Sequence, residues 1–208
     1  MKGTIGVFRL SLFKESLKTP IVPFTQAIKK NIPVWVTEIS EIDALDASMS
    51  DGLQWANTFH NYLVDASVNA FIWWAGAMPT GNNESLIVLN KDRTNYTITK
   101  RYDTFGNYTR YIKPRSQRIE TKLSSKTDSL LVSAYKKDKE YTVVVINNSK
   151  TALVTSLQID GKKANGKLNG YLTDEKNRWT PCEYTMTKEK QYIVEIPAKC
   201  IITFTGTL

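Results

Sequence analysis

Residues 31–40 read NIPVWVTEIS. The β-branched and aromatic run Val34-Trp35-Val36, entered through Pro33, is a strand signal, and it delivers one carboxylate, Glu38, at its C-terminal end. In parallel α/β architectures the reacting groups sit just past the carboxyl ends of such strands. A lone glutamate in that position is far more often a solvated loop residue, so its weight depends on the residues downstream of it.

After it comes an acidic, Ser-rich connection, SEIDALDASMSD, and then a helix over residues 52–67. Ser50 or Asp51 is expected to cap it, because a side-chain oxygen there accepts a bond from an otherwise orphaned N–H. Trp55, Phe59, Tyr62, Leu63 and Ala66 recur at helical spacing and define its buried face. His60 lies beside that face and reads as a structural or surface histidine, since no second ligand or nucleophile is spaced to use it. The run VNAFIWWAGAMP comes next as a second strand. Strand, amphipathic helix and strand form a βαβ unit, which implies parallel pairing. Glu38 and the end of residues 70–74 would then emerge at one edge of the sheet. A carboxylate beside the tandem Trp73-Trp74 points to carbohydrate: indole faces pack against the apolar C–H faces of sugars, and carboxylates carry out glycosidic chemistry. Alternation along a strand assigns one of the two indoles to the core.

Further out, residues 80–99 read as a polar loop with a hairpin, and residues 100–112 as a helix ended by Pro114, with Tyr102, Phe105, Thr109 and Ile112 on one face. From Arg118 the pattern turns to period two: LLVSAY, YTVVVINNS, ALVTSLQI, QYIVEI and CIITFTGT are strands at short spacing. The expected organisation is an α/β part over residues 1–117 and an antiparallel β-sandwich over residues 118–208. Before the opening stretch, residues 4–12 carry a candidate strand and residues 24–30 the end of a short helix.

The composition narrows the classes. The chain has 208 residues, 41% hydrophobic, with five Trp, which argues for a folded globular protein. No apolar run approaches the ~20 residues that span a membrane, and the first eighteen residues hold no sustained apolar core or cleavage site of a signal peptide. The net charge of +8 raises nucleic acid as a partner. The lysines at 136, 137 and 139 and at 162 and 163 instead fall in turns between strands, without the basic, aromatic-interleaved stripe that nucleic acid requires. One His and two Cys offer no metal-ligand spacing, and no cofactor motif is present. Cys182 and Cys200 lie in the same late β-region; if they flank a hairpin turning near residues 188–190, Cys182 would oppose a residue near Ile196 rather than Cys200, so a disulfide is open but not indicated.

The blocks PVWVTEIS, NAFIWWAGAMP, KRYDTFGNYTRYIKPRSQRIE, LLVSAYKKDKEYTVVVINNS and IPAKCIITFTGT, in that order, resemble the C-terminal half of glycoside hydrolase family 30. Members such as endo-β-1,4-xylanases and glucuronoxylanases pair an eight-stranded β/α barrel with a β-sandwich side domain. The resemblance covers roughly residues 31–208. It implies that residues 31–40 are the seventh barrel strand with Glu38 as catalytic nucleophile. It makes residues 70–74 the eighth strand, with Trp74 the sugar platform and Trp73 and Ser40 as further substrate contacts.

The implied chemistry is retaining hydrolysis of xylan or a related β-glycan. Glu38 attacks the anomeric carbon, and a second carboxyl ~5–5.5 Å away protonates the leaving oxygen and later activates water. The family's second Glu comes from the fourth barrel strand, and this sequence begins near the sixth. Glu41 and Asp43 are too close in sequence to face Glu38 across a sugar without a special loop, and Glu84, in the long loop after the Trp pair, is the best internal candidate but reads as a surface residue. A full barrel of this kind takes ~250 residues, so the expectation is a C-terminal fragment, monomeric when complete, without the acid/base. The loop after the tryptophans, AGAMPTGNNES, has no Arg before Arg93 to grip a glucuronate carboxylate, which favours a xylanase without that requirement, with β-1,6-galactanase or glucanase as the alternative. A non-catalytic carbohydrate-binding or structural sandwich, with Tyr171, Trp179 and Tyr184 as its aromatic platform or core, is the other reading. Substrate places the expected location outside the cell, with any signal upstream of this chain.

Overall fold

The computed structural model describes residues 11–12, 21–124, 127, 129–159 and 165–208, the side chains of Ser11, Leu12 and Asn165 excepted. The rest of the expected strand over residues 4–12 lies outside the described residues. The chain divides into two compact units, one of Met1–Ala47 with Asn57–Tyr102 and one of Ser48–Ala56 with Asp103–Leu208.

The first unit is built on a parallel sheet of three strands in the order β1 (Ser11–Leu12), β2 (Trp35–Ile39), β3 (Ala70–Trp73). Helix α1 (Thr25–Lys29) leads into β2, and α2 (Met49–Val64) connects β2 to β3, as a βαβ crossover requires. The helix starts one turn earlier than its apolar pattern suggests. Ser48, not Ser50 or Asp51, sits at its start, its hydroxyl accepting from Asp51 N at 3.5 Å and its carbonyl from Gly52 N at 3.1 Å. Trp55, Phe59, Tyr62 and Ala66 are buried as the spacing predicts, and His60 is buried with them. In the first unit Phe59 packs edge-on to Phe71 (5.4 Å) and Trp73 (6.2 Å), and Tyr62 to Phe71 (5.8 Å). A small sheet of β4 (Ala77–Met78), β5 (Ile87–Leu89) and β6 (Tyr96–Ile98) completes the unit, β5 and β6 forming the expected hairpin.

The second unit is a β-sandwich. Six strands run in the order β12 (Thr180–Thr185), β11 (Asn165–Thr173), β14 (Cys200–Thr207), β9 (Glu140–Asn147), β8 (Leu130–Lys137), β7 (Gln117–Ile119), all antiparallel, and β10 (Leu153–Leu157) pairs with β13 (Tyr192–Ile196) in a second sheet. Val143, Val145, Leu168, Ile202 and Phe204 meet Tyr192, Val194 and Ile196 in one apolar core. Strands β11 and β12 carry no clear period-two signal, since NGKLNGYLT and TPCEYT are rich in Gly, Asn and Pro.

Helix α3 (Lys100–Thr109) corrects the sequence reading of its buried face. Tyr102, Phe105 and Ile112 are only half-buried and Thr109 is exposed, whereas Arg101, Thr104, Asn107 and Tyr108 are almost fully enclosed. An apolar periodicity cannot find this face because hydrogen bonds rather than hydrocarbon satisfy it. Thr104 donates to Gly52 O at 2.9 Å, and Asn107 Nδ2 donates to Tyr171 O at 3.0 Å and Thr203 Oγ1 at 3.1 Å.

Candidate active site

The first unit presents two sheet faces of different character. Val36 and Ile39 are wholly buried and Trp73 nearly so, while Trp35, Ile72 and Trp74 are 40, 49 and 49% exposed. Strict alternation along β2 would put Glu38 on the side of Val36, in the core. The register prevents that. Val36 pairs with Phe71 and Ile39 with Trp73, so Thr37 and Glu38 together oppose the single residue Ile72. This is a bulge, a device that re-aims side chains near functional sites. It frees Glu38 from the buried set and leaves it half-buried at the strand's end, level with Ser11 of β1.

The register is pinned at both ends. At the lower end Asn69 accepts from Val34 N through Oδ1 (2.8 Å) and donates its own N–H to Val34 O (2.8 Å). At the upper end Trp74 N donates to Ile39 O at 3.0 Å, which binds the second tryptophan to the residue next to Glu38. The Trp74–Ala75 peptide is cis.

Of the sequence-predicted residues, Glu38 is half-buried and Trp74 exposed, and Trp73 and Ser40 are buried at 8 and 6% exposure. The tandem indoles divide as alternation requires, with Trp73 packed on Phe59 and Trp74 outward. Both are anchored by one residue read as a plain surface carboxylate. Glu84 accepts from Trp73 Nε1 through its backbone carbonyl at 3.0 Å and from Trp74 Nε1 through Oε1 at 3.1 Å. Beneath them Arg101 lies fully buried, its guanidinium 5.6 Å from the Trp73 ring centre and donating to Ser85 O at 3.3 Å. Asn83 joins the loops after β2 and β3: its Oδ1 accepts from Asp46 N at 2.6 Å, and its N–H reaches Asp43 O at 3.0 Å. No periodicity marks Glu84, Asn83, Asn69 or Arg101, because each works through polar groups, backbone or side chain, rather than through buried hydrocarbon. The local signal for Asn83 and Glu84 is the polar run NNES in the loop that follows the Trp pair.

The alternative aromatic platform of the second unit does not assemble. Tyr171 stacks on Tyr111 at 4.2 Å, Trp179 donates to Asp103 O at 2.7 Å beneath the Arg110 guanidinium, and Tyr184 packs edge-on to Phe204 of the core. Among the described residues no group of three His, Cys, Asp or Glu is placed to hold a metal, and no helix is long and apolar enough to cross a membrane. Both cysteines are free thiols.

The chain thus joins a parallel βαβ element that bears a carboxylate near its strand end to a β-sandwich, and known proteins share parts of this arrangement. Residues 115–204 match the Glycosyl hydrolase family 30 beta sandwich domain. Glucuronoxylanase XynC of Bacillus subtilis (strain 168) is 22% identical over 175 residues, covering 82% of this chain and 39% of that protein. Among solved structures, GH30 xylanase C from Talaromyces cellulolyticus superposes with a TM-score of 0.74 at 28% identity, covering 85% of this chain and 41% of that one. The subfamily 8 xylanase Xyn30A from Clostridium acetobutylicum gives 0.76 at 16% identity, with 92% and 46% covered. The resemblance to glycoside hydrolase family 30 is thus shown. The chain spans about two-fifths of the length of the curated relatives it matches.

Proposed function

We propose that the first unit is part of a β/α barrel of a retaining xylan hydrolase, with Glu38 as nucleophile and Trp74 as the platform for a sugar ring. The observation that carries this reading is the β2–β3 register, whose bulge releases Glu38 from the buried face while the Trp74–Ile39 hydrogen bond fixes the indole-bearing residue beside it. In that chemistry a Glu38 carboxylate oxygen forms a bond to the anomeric carbon as the bond to the leaving oxygen breaks, and water later displaces the sugar. Glu84, tied to the Trp74 indole, serves as a positioning residue rather than the second carboxyl. The acid/base is supplied by other barrel elements, which with the sandwich complete a secreted, monomeric enzyme. A conserved exported protein from Bacteroides fragilis, 24% identical with a TM-score of 0.72, fits that location.

The test uses a leaving group that needs no protonation. With 2,4-dinitrophenyl β-xylobioside, the nucleophile alone suffices to expel dinitrophenolate. The expected result is dinitrophenolate release by this chain that is abolished in Glu38→Gln, with glucuronoxylan left intact by both. Release that is absent, or that survives Glu38→Gln, overturns the assignment.

A further inference from the structure

On the second unit a cleft of about 310 Å³ lies over the outer face of the six-stranded sheet, within the ~300–1,000 Å³ usual for small-ligand sites. Its floor is set by register. Tyr135 pairs with Thr142, Thr142 with Thr205, and Thr205 with Asn169, so one row of hydroxyl and amide groups crosses four adjacent strands. Neighbouring strands lie ~4.8 Å apart, which spaces these groups evenly along the row. The next row on the same face is Lys137, Glu140 and Thr207. The segment following α3 supplies the wall. Tyr111 is held by its stack on Tyr171 and by Thr142, which donates to its carbonyl at 3.0 Å.

The lining chemistry selects a ligand. A site for an apolar molecule would be mostly hydrocarbon, whereas this floor offers hydroxyls and an amide, with tyrosine rings to meet C–H faces. Charge narrows it further. The lining carries three cations, Arg110, Lys113 and Lys137, against the single carboxylate of Glu140, which is ion-paired to Lys113, so the cleft keeps an excess of positive charge. A polyol that bears a carboxylate satisfies both sets at once.

We propose that this cleft is a second, non-catalytic glycan site that binds an oligosaccharide carrying a uronic acid, the carboxylate directed to Lys137 and Arg110 and the hydroxyls to the Thr142–Thr205–Asn169 row. It presupposes the xylan reading of the first unit and extends it to xylan that carries acidic substituents.

The experiment measures binding by isothermal titration to the full chain carrying Trp74→Ala, which disables the platform of the first unit. The probes are 4-methylglucuronosyl-xylotriose, neutral xylotetraose and inorganic phosphate. The expected result is binding of the acidic probe in this background, weakened about tenfold by added Lys137→Glu and reduced by salt. Neutral xylotetraose is expected to change less than about twofold with Lys137→Glu. Thr205→Val, isosteric and uncharged, is expected to weaken both sugars about fivefold, the loss of a single hydrogen bond. Absence of acidic-probe binding in the Trp74→Ala background overturns the site, even if the unsubstituted chain binds through its platform. Equal binding of phosphate, or indifference to both cleft substitutions, overturns it as well. The dinitrophenolate assay is untouched by any of these outcomes.

Discussion

Asn147 offers the sharpest test of how the sandwich is held together. It is fully buried at the end of β9. Its Nδ2 donates to Pro197 O at 2.8 Å, Thr151 O at 3.0 Å and Ile196 O at 3.3 Å, and its Oδ1 accepts from Ser149 N at 2.9 Å. One amide therefore ties the end of β9 to the turn before β10 and to the end of β13, the two sheets of the unit. Asn147→Asp keeps the shape and removes the donors. Protonated, the new carboxyl satisfies at most one of three carbonyls; the lost bond and the stranded acceptors together cost about 2–4 kcal/mol. Ionised, it faces three carbonyl oxygens with a negative charge, so its pKa in the folded chain rises above the ~3.9 of the unfolded one. Above that pH the unfolded chain has lost a proton that the folded chain retains. Stability of the variant therefore falls further as pH rises, by about 1.4 kcal/mol per unit until the folded-state pKa is reached. Urea unfolding followed by tryptophan fluorescence between pH 4 and 7 measures this directly. Asn147→Ala serves as the control without the added slope. An Asp variant as stable as the parent, or one whose deficit shrinks as pH rises, refutes the reasoning.

Burial, with Asp174 nearby adding to it, pushes the Cys200 thiol up to about 12. The unfolded thiol ionises near ~8.5 while the folded one stays protonated, so stability declines above that pH, by about 2 kcal/mol at pH 10, and Cys200→Ala removes that component of the slope; denaturation midpoints of the two chains across pH 7–10 check it. In the folded protein a thiol reagent is expected to modify half-buried Cys182 and to spare Cys200 until denaturant is added, and modification of both at one rate refutes this. Four Asn-X-Ser/Thr sequences occur, at Asn83, Asn95, Asn107 and Asn147, but the first, third and fourth are buried and only Asn95 is exposed. Folded protein secreted from a eukaryotic host is expected to carry glycan at Asn95 alone, read by peptide mass spectrometry.

The elements legible in the sequence are those whose burial is apolar. Val34-Trp35-Val36, the Trp55–Phe59–Tyr62 face, and the strands from Leu130 and Tyr192 announce themselves because hydrocarbon repeats at the period of the backbone that buries it. The same signal misassigned α3, whose enclosed residues Arg101, Thr104 and Asn107 are polar and satisfied by carbonyls distant in sequence. It also passed over β11 and β12, which are held by strand neighbours rather than by their own composition.

By itself, the sequence determined that a strand ends in Glu38, that an amphipathic helix and a second strand ending in tandem tryptophans come after it, and that an antiparallel β region closes the chain. Local period and residue chemistry suffice for each of these statements. Only the tertiary structure decided that a bulge takes Glu38 out of the buried face, that Glu84 anchors both indoles, and that Tyr135, Thr142, Thr205 and Asn169 line up beneath a basic wall. Those features arise from register and from hydrogen bonds between residues far apart in the chain, and no local pattern encodes such pairings.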